Sequence, residues 1–259
     1  MKRVLGSIRR ADERWNMIKD GDTVCVGVSG GKDSLLLMEA LKLYQRFSKN
    51  RFTLQAVMLD LGITQADTSK VEAFAEKIGV PLDVRRTDIG DVVFNIRQES
   101  HPCALCAKLR RGALNNAAVD HGCNKVALGH NREDVLETFL MSLLYEGRIN
   151  TFAPVTFMNR KNVTLIRPFV FLPERYILHI AKERELPIMP PNCAVAGSTK
   201  REEMKQLIAH LCTLVPDATE KMINAISGTE KYQLWDKLKL PPEDLQVSAI
   251  VLEDTMEEL

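Results

Sequence analysis

Apolar residues along the chain follow two alternating rhythms. TVCVGVS (23–29) is a short Val-rich run with almost no polar position, the pattern of a strand covered on both faces. GGKDS follows at once, and then LLLMEALKLYQRF, whose apolar positions recur with helical spacing. The same alternation continues: FTLQAVMLD predicts a strand ending at Asp60, TSKVEAFAEKIGV a helix closing at Gly79, and LDVRRTDI a third strand. A less regular stretch covers residues 91–104. LCAKLRRGALNNAAVDHG then predicts a helix, NKVALGH a fourth strand, REDVLETFLMSLLYEG a helix ending at Gly147, and VTLIRPF a fifth strand. Strands alternating with helices of this length mean βαβ units, hence an α/β fold with a Rossmann-like parallel sheet and helices on both faces.

Both ends are helical. A helix is predicted over about 7–18, before the turn Asp20-Gly21-Asp22, and from about residue 173 the pattern is helical throughout: PERYILHIAKERE, STKREEMKQLIAHLC and DATEKMINAISG. The expected organisation is an N-terminal helical segment (1–20), an α/β domain (21–172), and a helical C-terminal region (173–259) with an acidic tail after Pro241-Pro242.

Composition narrows the class. The 259 residues carry 35 Lys+Arg against 34 Asp+Glu, with 45% hydrophobic and 27% charged residues, ordinary values for a globular chain of one large domain. No apolar run approaches the ~18 residues of a membrane span. MKRVLGSIRRADERW has no apolar stretch behind its charges, which argues against a secretory leader. Six cysteines in such a chain are expected to be thiols, metal ligands or catalysts in a reducing cytoplasm. A net charge of +1 leaves room for a nucleic-acid partner, because basic residues cluster at Arg3, Arg9 and Arg10, at Lys108, Arg110 and Arg111, and at Arg175, Lys200 and Arg201.

The turn Ser29-Gly30-Gly31-Lys32-Asp33-Ser34 falls between the first strand and the helix after it. Paired glycines let backbone approach a ligand and expose consecutive N–H groups, and a helix start adds unsatisfied donors and partial positive charge. A phosphate chain is the natural occupant. The spacing is neither GxxxxGK[ST] nor GxGxxG. SGGKDS in this setting resembles the pyrophosphate-binding loop of the ATP pyrophosphatases, the PP-loop superfamily, which activate a carbonyl or carboxyl by adenylation. The resemblance implies an adenine nucleotide alpha hydrolase-like fold, ATP with Mg2+, and an ATP site made of Ser29, Gly30, Gly31, Lys32, Asp33 and Ser34, with Asp60 near the adenosine.

His101-Pro102-Cys103-Ala104-Leu105-Cys106 places a CxxC at or just before the start of a helix, where the helix dipole and nearby basic residues favour thiolates. Alone it fits a redox dithiol, half a zinc site or cluster ligation. Cys193, in the Pro/Gly-rich loop MPPNCAVAG, is the third candidate ligand. Cys25 falls in the first strand, and Cys123 and Cys212 at helix ends, which suits small core residues. Three thiolates on a [4Fe-4S] cluster would leave one iron open to an exogenous ligand.

SGGKDS, PCALCAKLRRG, ALGHNREDVLETF and MPPNCAVAG together resemble the tRNA 2-thiocytidine synthetase family over about residues 20–215. The third-ligand loop departs from the family's usual pattern in holding Cys193 without a second cysteine after it. In Gly129-His130-Asn131-Arg132-Glu133-Asp134, Asn131 is expected to cap a helix, with Asp134 completing the cap from N3. The resemblance further implies that Gly129 approaches the nucleotide and that Asp134 acts beside the reacting base, with Arg110 or Arg111 binding tRNA backbone or stabilising negative charge. It implies ATP-dependent adenylation of a pyrimidine C2 oxygen and its replacement by sulfur. tRNA is then the partner, and a cysteine desulfurase or inorganic sulfide the sulfur donor. A homodimer through the terminal helices would widen the basic surface. Against this stand a 2-thiouridine-type transferase, an amide-forming relative with structural zinc, and a nucleotide-binding protein without catalysis.

Overall fold

The computed structural model describes residues 1–63, 67–98, 102–190 and 200–228. The chain divides into two compact units, Met1–Thr219 and Glu220–Leu259. Among the described residues of the second, helix α9 (Ala218–Ser227) continues to its end.

The first unit is built on a six-stranded sheet of order β3-β2-β1-β4-β6-β5. Its strands are β1 (Asp22–Val28), β2 (Phe52–Asp60), β3 (Leu82–Arg86), β4 (Lys125–Ala127), β5 (Val155–Met158) and β6 (Val163–Ile166). All neighbouring pairs are parallel except β5 with β6, an antiparallel edge hairpin. Strand β5 was not expected from the sequence. Its four residues, VTFM, are too few to establish an alternation, and the hairpin forms because β6 has an open edge to pair with.

Helices cover both faces, as the continuous apolar strands require. Cys25 and Gly27 of β1 face helix α5 (Pro102–Asp120), and Cys25, Val57, Ala117, Ala118, Val126 and Leu165 share one buried cluster. A Cβ on Gly27 would lie 2.7 Å from a Leu114 methyl, so glycine here lets α5 lie close against the strand. By alternation, Val24, Val26 and Val28 point to the other face, where α2 (Lys32–Tyr44) packs on β1. Helix α2 is buried nearly all round because α1 (Lys2–Trp15) and α7 (Glu174–Glu183) pack on it in turn. Helix α1 starts at Lys2, ahead of the expected residue 7, because its apolar stripe (Val4, Ile8, Ala11) reaches back to Val4.

Helix α3 (Ser69–Ile78) ends at Gly79 with φ +69°, as its sequence predicts. The irregular stretch after β3 is a helical turn, α4 (Ile89–Asp91), followed by six π-helical residues, Val92–Arg97. Helices α6 (Arg132–Glu146) and α8 (Lys200–Leu214) pack together.

Strand order sets the site. From β1 the chain runs outward through β2 and β3, then returns to add β4 on the opposite side of β1. That reversal between β1 and β4 is where an open α/β sheet leaves a crevice at its carboxyl edge. The glycine turn follows β1 and Gly129-His130-Asn131 follows β4, so both turns open onto it.

Candidate active site

The glycine turn is braced by its own hydroxyl groups. Ser34 Oγ accepts from Ser29 N at 3.0 Å, donates to the Gly31 carbonyl at 3.0 Å and lies 3.2 Å from Ser29 Oγ. Gly31 is the N-cap of α2 and has no side chain to cap it; its N–H donates to Ser29 Oγ at 3.4 Å. Gly30 has φ +79° and is buried rather than open to the crevice. Met189 backs it, with its N–H donating to the Gly30 carbonyl at 2.9 Å.

The β4–α6 turn comes up against this loop. Asn131 caps α6, accepting from Glu133 N at 2.9 Å and Asp134 N at 3.2 Å, while Asp134 Oδ2 accepts from Asn131 N at 2.8 Å. The same Asn131 donates from Nδ2 to Asp33 Oδ1 at 3.0 Å, tying the two turns together. A Cβ on Gly129 would sit 3.1 Å from the Asp33 carbonyl carbon and 3.2 Å from Ser34 N. Backbone therefore passes backbone closely at this point.

Two adjoining cavities, of about 390 and 470 Å³, flank the glycine turn. Ser29, Asp33, Leu59 and Arg110 line both and form the junction. The inner lobe adds Gly129, His130, Asp134, Arg111 and Asn115 to an apolar wall. The outer lobe adds Gly31, Lys32 and Asp60 beside Met58, Ile63 and Met189. Of the residues singled out in the sequence, Ser29, Gly31, Lys32, Asp33, Ser34, Asp60, Arg110, Arg111, Gly129 and Asp134 thus line one cleft, whereas Gly30 shapes the turn from behind.

A network of ion pairs stands behind the cleft, and sequence spacing gave no sign of it. Lys32 Nζ bonds Asp33 Oδ2 and Glu174 Oε1, each at 2.9 Å, and Lys205 Nζ bonds Glu174 Oε2 at 3.0 Å. Burial alone would lower the Lys32 pKa, but the two carboxylates outweigh it and raise it. Arg201 of α8 reaches Asp134 Oδ1 at 3.0 Å and Glu137 Oε2 at 3.7 Å. The partners lie far apart in the chain, so only the packing of α7 and α8 brings them together.

Desolvation dominates the titration of this region. Burial raises the Asp134 carboxyl, against the lowering effects of the Asn131 N–H and Arg201. Burial and then Asp134 push Glu137 up to about 7. Burial, followed by Arg167, Arg201 and Arg111, holds His130 down at about 4, so its imidazole is neutral at pH 7; its ring lies 4.9 Å from that of Phe152. The Glu137 shift has a testable consequence. A carboxyl whose folded pKa is raised contributes stability fully present below its unfolded pKa, here near 4.5, and lost as pH rises through about 7. Glu137→Gln is therefore expected to melt a few degrees above the parent at pH 8 and to lose that advantage near pH 4.5. Thermal melts across this range check it; an advantage independent of pH would mean that Glu137 is not held up by burial.

The cysteines divide by setting. Cys25 and Cys123 are both buried in the sheet–α5 core, and their mutual hydrogen bond together with burial keeps the Cys25 thiol protonated. Cys103 lies in the first turn of α5 and Cys106 at the start of the second, Cys103 exposed and Cys106 half-buried, and neither is in a disulfide. Cys193 lies outside the described residues. Among those described, no three His, Cys, Asp or Glu side chains are grouped to hold a metal. The donor set on α5 nonetheless suits iron–sulfur ligation: two thiols one helical turn apart, at a positive helix end.

Basic residues at the N-terminus meet aromatic rings of α7 and of the segment that leads into it. Arg3 donates to the Tyr176 hydroxyl and lies 4.8 Å from its ring centroid, while Arg10 lies 4.2 Å from that of Phe171, which stacks on Trp15 at 5.0 Å. Among the described residues no helix is long and apolar enough to cross a membrane.

The fold and the two facing turns define a PP-loop protein, and a model described as the PP-loop domain matches residues 6–192. Similar proteins include the tRNA-cytidine(32) 2-sulfurtransferase of Geotalea daltonii, 32% identical over 239 residues that cover 91% of this chain and 95% of that one. The protein of the same name from Syntrophotalea carbinolica is 34% identical over 225 residues, covering 86% and 87%. The chain belongs to this family of PP-loop tRNA-cytidine 2-sulfurtransferases. Among solved structures, the U34-tRNA thiolase NcsA from Methanococcus maripaludis with its [4Fe-4S] cluster has a TM-score of 0.71 and 25% identity, and covers 90% of this chain and 79% of that one.

Proposed function

We propose that this chain is an ATP-dependent tRNA thiolase that converts cytidine to 2-thiocytidine, releasing AMP and pyrophosphate. The observation that carries the reading is the junction of the two lobes at Ser29, Asp33 and Arg110. A nucleotide in one lobe and a base in the other would meet there, at the α-phosphate.

In this reading residues 21–172 are the ATP-binding core, and 173–259 carry the third cysteine. Ser29, Gly31, Asp33 and Ser34 hold the phosphates, with Gly30 setting the turn, Lys32 beside it and Gly129 admitting the nucleotide to the loop. Asp60 and the apolar outer lobe take the adenosine. Magnesium arrives with the phosphates, and Asp33 is the carboxylate on the loop nearest to them. The target base enters the inner lobe, which requires it to be unstacked, as loop bases readily are.

The C2 oxygen of cytidine attacks the α-phosphorus, the bond to the departing pyrophosphate breaks, and the oxygen becomes part of an AMP leaving group. A sulfur nucleophile then adds at C2 and the C2–O bond breaks, so that oxygen leaves with AMP and sulfur remains. Asp134 would manage the proton, a role supported by its place in the lobe lining and its raised pKa. Arg110, at the junction, stabilises the negative charge that develops. Cys103, Cys106 and Cys193 would hold a [4Fe-4S] cluster, which supplies an iron position open to a sulfur donor. Sulfur derives from a cysteine desulfurase or from inorganic sulfide, and the setting is the cytoplasm. Incubating anaerobically prepared protein with ATP, sulfide and tRNA, and digesting the RNA for mass analysis, is expected to yield 2-thiocytidine with one AMP per thiolation. Protein with intact iron that forms AMP but no thionucleoside would overturn the reading.

Arg110 and Arg111 lie on the lobe-facing side of α5 and link base and backbone recognition. Charge reversal at both is expected to weaken tRNA binding and to reduce the salt dependence of log K by about one unit for each phosphate that is no longer neutralised. Unchanged affinity and salt slope would remove them from the RNA site.

A further inference from the structure

Among the described residues, five buried side-chain polar atoms have no hydrogen-bond partner. Two of them, Asn115 Oδ1 and His130 Nδ1, belong to residues lining the inner lobe; Ser7, Glu39 and Arg167 line neither lobe. Asn115 is 3% exposed. It stands one helical turn beyond Arg111 on α5, on the face that also turns Ala107, Arg110 and Leu114 to the cavity. An amide oxygen buried without a partner destabilises a fold, and a ligand donor would relieve that penalty.

The rest of the lobe suits a flat ring. Val57, Leu128 and Leu165 give it an apolar wall, and its polar lining includes Ser29, Asp33 and Arg110 at the junction together with Asn115 and His130. A pyrimidine whose C2 oxygen reaches the junction has a fixed direction. Its Watson–Crick edge runs from O2 through N3 to the substituent at C4, so that substituent points away from Ser29 and Asp33. Asn115 lines the inner lobe only and is not among the residues shared at the junction.

We propose that Asn115 determines which pyrimidine is thiolated, its side-chain oxygen accepting a hydrogen bond from the exocyclic amine of the target cytosine while His130 flanks the same edge. The inference rests on the thiolation reading above and deepens it. Uracil presents a carbonyl oxygen at that position, acceptor against acceptor, and leaves Asn115 Oδ1 buried and unpaired. Sites built to bind a substrate N–H reject analogues lacking it far more strongly than apolar pockets reject extra bulk. His130 is neutral at pH 7 and therefore adds no charge that would favour one base over the other.

The test is a double cycle between side chain and base. Thiolation kcat/KM is measured for the parent and Asn115→Leu, each on tRNA carrying either cytidine or its 4-deamino analogue at the target position. Removing the amine from the substrate, or the amide from the protein, is expected to lower kcat/KM by roughly 10- to 100-fold. Making both changes should lower it little further, because each deletes the same hydrogen bond. Intrinsic reactivity of the analogue cancels in the cycle. Penalties that multiply, or parent-like kcat/KM for Asn115→Leu on cytidine, would overturn the proposal. ATP binding by the variant reports that it is folded, and Asn115→Ala enters the same cycle if the leucine variant is not. Parent protein that makes no 2-thiocytidine at all would instead count against the thiolation reading, so the two failures are distinct.

Discussion

Replacing Asp33 and Ser34 together by alanine is expected to slow pyrophosphate release by at least roughly 10³-fold, the scale on which preorganised groups around a developing charge act. The two side chains serve the loop differently. Ser34 Oγ takes the Ser29 N–H and returns a hydrogen bond to the Gly31 carbonyl, so its loss frees the turn that presents the N–H groups. Asp33 joins Lys32 to Asn131, and with it the glycine turn to the β4–α6 turn. Without both, the two facing turns would lose their register while the hydrophobic core behind them, Leu35 to Leu37 on α2, is untouched. The variant should therefore melt near the parent temperature yet fail to exchange pyrophosphate into ATP. A folded double variant that released pyrophosphate at the parent rate would sink the assignment of this loop to ATP.

How much of this was legible in the sequence depended on whether the information was local. Ser29 to Ser34 could be read as a phosphate loop because strand, paired glycines and helix start are consecutive. The Asn131–Asp134 capping box was legible for the same reason, since its two hydrogen bonds span three residues. Strand β2 ends at Asp60 as its apolar pattern indicated. The short antiparallel β5 was not legible, because four residues carry no periodicity and its pairing depends on an edge that only the assembled sheet has.

The electrostatics of the site were hidden for a deeper reason. Lys200 and Arg201 read as one basic cluster among several, yet Arg201 pairs with Asp134 across 67 residues. Glu174 carried no signal at all and proves to hold both Lys32 and Lys205. Burial decides which charges must find partners, and burial follows from packing rather than from spacing. The unpaired oxygen of Asn115 is the same kind of fact: on sequence alone it is one polar residue in the middle of a helix.

The cysteines give the sharpest separation between function and fold. Alanine at Cys103, Cys106 or Cys193 is expected to remove iron and bring thiolation to background while leaving ATP binding intact. The first two sit near the start of α5 and lie outside the buried cluster of the sheet core. The glycine turn is a separate element after β1, so ATP binding there would not depend on them. Alanine at Cys25 or Cys123 is expected to do the opposite. Both thiols are buried among Val57, Ala117 and Val126, and truncation there should destabilise the fold by on the order of 1 kcal/mol with iron and activity retained. Cys212, half-buried on α8, should matter to neither. The measurement is iron content, visible absorption, ATP binding and thionucleoside yield across the six single variants, all prepared without oxygen. Full iron in Cys193→Ala would refute the three-thiolate site and require a different third ligand. Loss of ATP binding in Cys103→Ala or Cys106→Ala would show instead that α5 and the phosphate loop form one inseparable unit, since Arg110, four residues beyond Cys106, is the helix's link to both lobes.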